Sequence, residues 1–509
     1  MLSSIGGARA PPSIEIGYVT DVEGNLEYFD RWVARSGVLK YTQPNTLDLT
    51  HDNAYFVFGG DAMDRGDGGL RFTRRLVELK KKHPKRVFLL AGNRDLNKVR
   101  FTSEFSEDDL KRDSETIPGP HWDPSAPTLH AYLTEVAAAR GEAGGAATVD
   151  SRTERMHYYL KHTLGCPNTF EGRRRELAVL GEAAEPVSDT AVVDSLVGDI
   201  LPGGALRTYL EHACIACVLG NTIFVHGAID ANVAGLVPED STRFTNPAAP
   251  QPMRRVHDVH EWTRELNGVM QRGLAANLAQ PGWDATRTTR GGEVLIALQN
   301  RCAMYGRCVV SCCYADGGTI TTDAATDARE QVREKFANGA ADALLYERWL
   351  SDPRNTEVAE WLQGAGIRRI VVGHKPSGDA PAVLSAAHNG VEVISADTSY
   401  GDPTDRELGR GVSLAGVCLM GQSLEVNHAK IYGTLADGRE HEAHLATLDS
   451  RGRAHDTPGD ELLGTELDGG WWVKARAVAA GSDPGKQTYV AFRGAGRTVE
   501  QMDHLVSRL

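Results

Sequence analysis

Gly60-Asp61-Ala62-Met63-Asp64-Arg65-Gly66, directly after the apolar run Tyr55-Phe56-Val57-Phe58, is the stretch on which the fold turns. The run is continuous, aromatic and β-branched, which is how a strand buried on both faces reads. It ends in a glycine-bounded loop with two carboxylates and a guanidinium. The arrangement recurs along the chain. Ile16-Gly17-Tyr18-Val19 leads to Asp21-Val22-Glu23-Gly24-Asn25, and Val87-Phe88-Leu89-Leu90 to Gly92-Asn93-Arg94-Asp95. Ile223-Phe224-Val225 leads to His226-Gly227, and Ile370-Val371-Val372 to Gly373-His374. Polar groups placed just past buried strands gather at the carboxyl edge of an α/β sheet, where function concentrates. Singly, such an Asp is most often a helix cap or turn residue, and such a His a satisfied core residue. Jointly the blocks supply carboxylates, an amide and two imidazoles. That is a donor set for hard or borderline divalent metals, and large enough for two ions sharing one carboxylate.

In this order the motifs resemble the metallophosphoesterase (calcineurin-like) superfamily, and within it the phosphoprotein-phosphatase branch and the symmetrical diadenosine tetraphosphatases. The second Gly-His block continues Lys375-Pro376, and Ala396-Asp397-Thr398-Ser399-Tyr400-Gly401 is similar to the strand end that closes these domains. The likeness spans roughly residues 14–100, 215–230 and 366–430. It implies a four-layer α/β/β/α sandwich, two mixed sheets with helices outside, and a metal-dependent phosphoester hydrolase. It also implies two divalent ions, manganese first, with magnesium, iron or zinc as the other candidates. Asp21 and Glu23 would hold one ion, Asp61 would bridge both, and Asn93, His226 and His374 would hold the second. Arg65 would grip the substrate phosphate with Asp64 supporting it; Arg94, a departure from the pattern, reads as a second phosphate contact, and Asp95 or a histidine of an insertion is the candidate proton donor.

Two positions depart from the family pattern. Glu23 stands where the family has a ligating histidine, which keeps a donor but adds negative charge and favours Mn²⁺ or Mg²⁺ over softer ions. Arg94 stands where the family has the histidine that protonates the leaving group. A guanidinium gives up no proton at working pH, so the site reads as stronger in phosphate binding and weaker in acid catalysis.

The chain has 509 residues, 41% of them hydrophobic, enough for one such domain with elaborations. A net charge of −13 and a pI near 5.7 argue against binding a nucleic-acid polymer or an acidic membrane. Cysteines at 166, 214, 217, 302, 308, 312, 313 and 418 are scattered as in a reduced protein, and Cys214-Ile215-Ala216-Cys217 reads as buried thiols rather than a metal knuckle. No apolar run reaches membrane-spanning length, and the first dozen residues lack the apolar core of a signal peptide. Ser507-Arg508-Leu509 is a conservative variant of the tripeptide read by the peroxisomal import receptor, so a peroxisome-like organelle (peroxisome or glycosome) is the expected location, otherwise the cytoplasm.

Strand and helix alternate through the first hundred residues, with helices expected over Asn25–Ser36 and Gly69–Lys82. The catalytic domain is expected over 14–430, with helical insertions at about 102–207 and 231–365 as caps over the ligand-bearing edge. Helical signals fall at Val256–Leu274 and Ala325–Leu350, and the Ala/Gly-rich run Ala137–Ala147 reads as mobile. Residues 431–509 are expected to form a β-rich C-terminal extension. Three functions are compatible: a phosphatase acting on a small-molecule phosphomonoester or a phosphoprotein, a nucleotide pyrophosphohydrolase of the diadenosine-tetraphosphate kind, and a weakly active phosphate-binding module.

Overall fold

The computed structural model describes residues 13–119, 126–182, 186–229, 234–239, 253–296, 356–374, 378–386, 389–398, 413–453, 459–469, 471–478, 486–495 and 498–507. Each apolar run is a strand: Ile14–Val19, Ala54–Phe58, Val87–Leu89, Thr222–Val225 and Arg369–Val372. The first three lie parallel and side by side in one sheet. Leu414–Ser423 pairs antiparallel with Ile14–Val19 on its other side, followed outward by Val426–Thr434 and Glu440–His444. A second sheet runs Ala382–Leu384, Glu392–Ser395, Arg369–Val372, Thr222–Val225, Ala216–Leu219, with its three middle strands parallel.

Strand alternation turns these two sheets into a sandwich. Ile16, Tyr18 and Val57 of the first sheet share a core with Phe224, Val371 and Ile394 of the second, and the Tyr18 and Phe224 rings lie 5.8 Å apart. The intervening residues face outward: Val19, Phe56 and Phe58 in one sheet, Ile223, Val225, Ile370 and Val372 in the other. Helix Leu26–Arg35 covers the first sheet, with Trp32 against Phe56 and Phe29 against Phe72 of helix Gly69–Lys82. Helices Val259–Ala279 and Thr356–Gly364 flank the second sheet, and Asn267 bonds the backbone of its edge strand at Ala216. The result is the expected helix–sheet–sheet–helix layering.

The insertion after Thr102 is helical and built onto the domain. Helix Thr169–Leu180 supplies Glu176, whose carboxylate accepts from the backbone N–H of Leu70 and Arg71 at 3.0 Å each. Helix Gly69–Lys82 begins at Gly68, which has no capping side chain, so Glu176 does that work from a distance. Glu176→Ala should therefore cost about 2–3 kcal/mol in urea unfolding, the scale of charge-assisted bonds lost from a buried acceptor. A loss under 0.5 kcal/mol, roughly that of an ordinary surface change, would contradict the assignment.

Several expectations are corrected. The Ala137–Ala147 run is the end of helix Leu129–Arg140, a left-handed turn at Gly141 and the start of helix Ala146–Val149. The boundary placed at 430/431 would cut strand Val426–Thr434, and the first sheet continues to Asp449. Only Glu466 onward forms a further sheet, four strands ending in Thr498–Ser507, and its Val473 and Tyr489 join the core between the two main sheets. Ala325–Leu350, Lys375-Pro376, Ser399–Gly401 and Arg508-Leu509 lie outside the described residues.

Candidate metal and phosphate site

The loops after Val19, Phe58, Leu89, Val225 and Val372 meet, tied by the backbone N–H of Asp21 to the Gly60 carbonyl at 3.0 Å and of Gly373 to the His226 carbonyl at 2.9 Å. The turns there are tight. Asp21, Glu23, Asp61 and His374 all have positive φ, at 51°, 50°, 57° and 72°. Glycine makes the close approach possible: a Cβ on Gly92 would lie 2.0 Å from Asp61 Oδ1, and one on Gly373 2.3 Å from Asp21 Oδ2.

Asp61, His226 and His374 bring ligand atoms within 4.8 Å of one another. Asn93 Oδ1 lies between the imidazoles, 3.0 Å from His226 Nε2 and 2.8 Å from His374 Nδ1. His226 Nδ1 is 2.8 Å from the Gly59 carbonyl, which can only accept, so Nδ1 carries a hydrogen, and in the neutral ring Nε2 is the nitrogen that presents a lone pair toward Asn93. Two imidazole nitrogens, an amide oxygen and a carboxylate thus converge, and with the facing nitrogens deprotonated this donor set fits a divalent cation. Burial pushes the Asp61 carboxyl up to about 7, with Asp21 adding repulsion and His226 and Arg94 opposing it. Burial works against a charged His226, but Asp61 and Asp21 outweigh it and raise its pKa. Asp21 accepts from the His374 backbone N–H at 2.9 Å, which ties the first loop to the last.

Residues 14–142 match the family model described as calcineurin-like phosphoesterase. The chain carries that family's signature over this span. It is therefore a hydrolase of phosphoric esters that depends on divalent metal. Among solved structures, this phosphoesterase is similar to the cold-active protein-tyrosine phosphatase of a psychrophilic Shewanella species. Identity there is 14%, the TM-score is 0.33, and the match covers 84% of this chain and 80% of that one. It is also similar to a protein serine/threonine phosphatase from Saccharomyces cerevisiae, at 10% identity and a TM-score of 0.31, over 80% of this chain and 73% of that one. TM-scores this low carry no inference about substrate. No curated protein matches the chain.

The remaining site residues of this phosphoesterase are arranged differently from the expectation. Glu23 is buried, but its oxygens face guanidinium groups: Oε1 lies 2.8 Å from Arg94 Nε and Oε2 3.4 Å from Arg65 Nε. Arg94 also pairs with Asp64 and donates to the Leu164 carbonyl at 2.8 Å, while Arg65 reaches the Gly165 carbonyl at 3.4 Å. Both arginines are thus bonded into the protein as internal ion-pair partners. Asp64 is a buried counter-ion; burial opposes its charge, but Arg94, Lys98 and Arg65 hold the carboxyl down at about 2. Asp95 is not placed as an acid. It is fully buried and accepts from the backbone N–H of Asp61, Ala62 and Gly92 at 2.9 Å each, clamping two ligand loops together.

Sequence reasoning missed Lys98 and the insertion. Lys98 Nζ donates to the Met63 and Arg94 carbonyls at 2.9 Å and to Asp64 at 3.0 Å. Its spacing of four from Arg94 on a helical turn was the available signal. The backbone carbonyls of Leu164 and Gly165 had none, because any residue supplies a carbonyl.

Proposed function

We propose that this phosphoesterase hydrolyses phosphomonoesters at a divalent ion, Mn²⁺ first, held by Asp61, Asn93, His226 and His374. The observation that supports this is the convergence of those four acceptors at the carboxyl edges of both sheets. Such an ion supplies Lewis acidity toward phosphoryl oxygens and acidifies a water nucleophile. The chain's own groups set the stage. Gly59 fixes the His226 tautomer, Asp95 locks the Asp61 and Asn93 loops, and Asp21 holds the His374 backbone. Leu164 and Gly165 of the insertion reach the arginines beside the site, which favours a small substrate over an extended protein surface.

Arg94 cannot protonate a leaving group, and its Nε and Nη1 are turned toward Glu23 and Asp64. Leaving groups that are stable as anions suit this site, aryl phosphates and phosphoanhydrides above alkyl phosphates. That same observation favours a second reading, a nucleotide pyrophosphohydrolase of the diadenosine-tetraphosphate kind, in which the leaving group is itself a phosphate. Mn²⁺-loaded protein assayed on p-nitrophenyl phosphate, phosphoserine peptides and dinucleoside polyphosphates should turn over the first or the third and act poorly on the second. Fast turnover of phosphoserine peptides alone would refute the proposal, and so would metal-loaded protein inert toward all three.

A further inference from the structure

The two positions at which the motifs depart from the family meet in space. Glu23 and Arg94 form one ion pair at 2.8 Å, and Arg65 approaches the other Glu23 oxygen. Neither guanidinium depends on Glu23 for its place. Arg94 is also held by Asp64 and the Leu164 carbonyl, and its backbone N–H donates to Asp61 Oδ1 at 2.9 Å. Arg65 is held by Gly165. A carboxylate ion-paired with guanidinium groups at 2.8 and 3.4 Å is not an open metal ligand. A cation brought to it would also face positive charge within about 4 Å, where like charges repel strongly even at an effective dielectric near 20.

The charge balance of the bonded network agrees. Its carboxylates are Asp21, Glu23, Asp61, Asp64 and Asp95, and its fixed cations are Arg65, Arg94 and Lys98. With all five carboxylates ionised, as a bound cation would hold them, five negative groups against three positive leave two charges to neutralise, which one divalent ion does. A second ion would leave an uncompensated buried excess of positive charge, the costly case.

We propose that this chain takes a single divalent ion, at Asp61, Asn93, His226 and His374, and that the Arg94 guanidinium, pinned on Glu23, provides the positive charge that the resemblance assigns to a second ion. The proposal rests on the metal-dependent reading above. Glu23 and Arg94 are then one coupled change rather than two: each is the other's counter-ion. Arg94 becomes a positioning and charge-balancing residue, and Glu23 is withdrawn from ligation.

The test is metal stoichiometry, which does not require turnover. Protein reconstituted with Mn²⁺ and freed of excess metal should carry one ion per chain by elemental analysis. Its electron paramagnetic resonance should show the hyperfine pattern of an isolated Mn²⁺. Glu23→Gln should retain that ion, and Arg94→Met, which releases Glu23, should raise the content toward two. Two ions per chain with an exchange-coupled spectrum in the unaltered protein would overturn the proposal, as would a fall from two to one in Glu23→Gln. A folded Arg94→Met protein still at one ion would show that Arg94 is not what excludes the second. If that variant fails to fold, the unaltered protein and Glu23→Gln decide between them. Hydrolysis with two bound ions would sink this proposal alone; one bound ion without hydrolysis of any phosphoester would sink the functional reading alone.

Discussion

Asp61→Asn protein is expected to fold, to lose most of its bound metal, and to lose about 10²–10⁴ in kcat/KM on p-nitrophenyl phosphate. Asp61 is the one anion among the four converging donors, so an amide there removes the charge that draws a divalent ion into a buried site. Lewis-acid stabilisation of phosphoryl oxygens is worth several kcal/mol, and each 1.36 kcal/mol is a tenfold change in rate. Folding should survive, because the loop is held through the Asp61 backbone N–H to Asp95, which the substitution leaves alone. The Asn carbonyl can still accept from the Arg94 N–H, as Asp61 Oδ1 does. Elemental analysis of the folded variant checks this directly. Metal content equal to that of the unaltered protein would remove Asp61 from the ligand set.

The second large effect concerns Arg94, and it divides between chemistry and stability. With no protein acid at position 94, rate should fall steeply as leaving-group pKa rises across substituted phenyl and alkyl phosphates. A shallow slope would mean that another residue donates the proton. Arg94→His could supply such a proton, with a gain on alkyl phosphates bounded by the roughly 10²–10⁴ typical of general acids. Sequence alone would expect Arg94→Ala to act mainly on phosphate binding. The structure moves the main effect elsewhere. Arg94 is the shared partner of Glu23 and Asp64, both buried, and stripping the cation from buried carboxylates costs about 3–5 kcal/mol. Arg94→Ala is therefore expected to lower the urea midpoint sharply. A midpoint unchanged from that of the unaltered protein would mean that the guanidinium is not neutralising either carboxylate.

The ligand-bearing loops were legible because they obey local rules. Each comes after a continuous apolar run, and each is cut by a glycine where Asp61, Asp21 or a backbone N–H comes too close for a side chain. Strand existence followed from pattern, and helix Gly69–Lys82 begins and ends where its glycines and Pro84 say it should. Every relation set by side-chain direction across sequence distance stayed hidden. Nothing near Glu23 announces that it turns to Arg94 rather than to Asp21. Asp95 looked like a chemical group because it comes after Asn93 and Arg94, yet its three backbone partners make it a clamp. The insertion's part was hidden for another reason: Glu176 and the Leu164 carbonyl act in an unpatterned stretch, where a cap for a remote helix has no signature. The domain boundary at 430/431 failed because a turn to β-like composition was taken for a new unit, when those strands extend the first sheet.

The pairing of Ile14–Val19 with Leu414–Ser423 sets the order in which this molecule can be completed. The strand carrying the first ligand loop is central in its sheet, yet one of its two neighbours arrives roughly 400 residues later. At a ribosomal rate of about 5–20 residues per second, the nascent chain waits for about 20–80 s with that strand's hydrogen-bonding edge open. Over most of that interval His374 is also still unmade, so the imidazole pair that closes the donor cluster comes late in synthesis. An open, apolar strand edge is where chains pair wrongly with one another. The long segments between the motifs therefore lengthen the vulnerable period of biogenesis. Late completion of the ligand cluster follows from that topology.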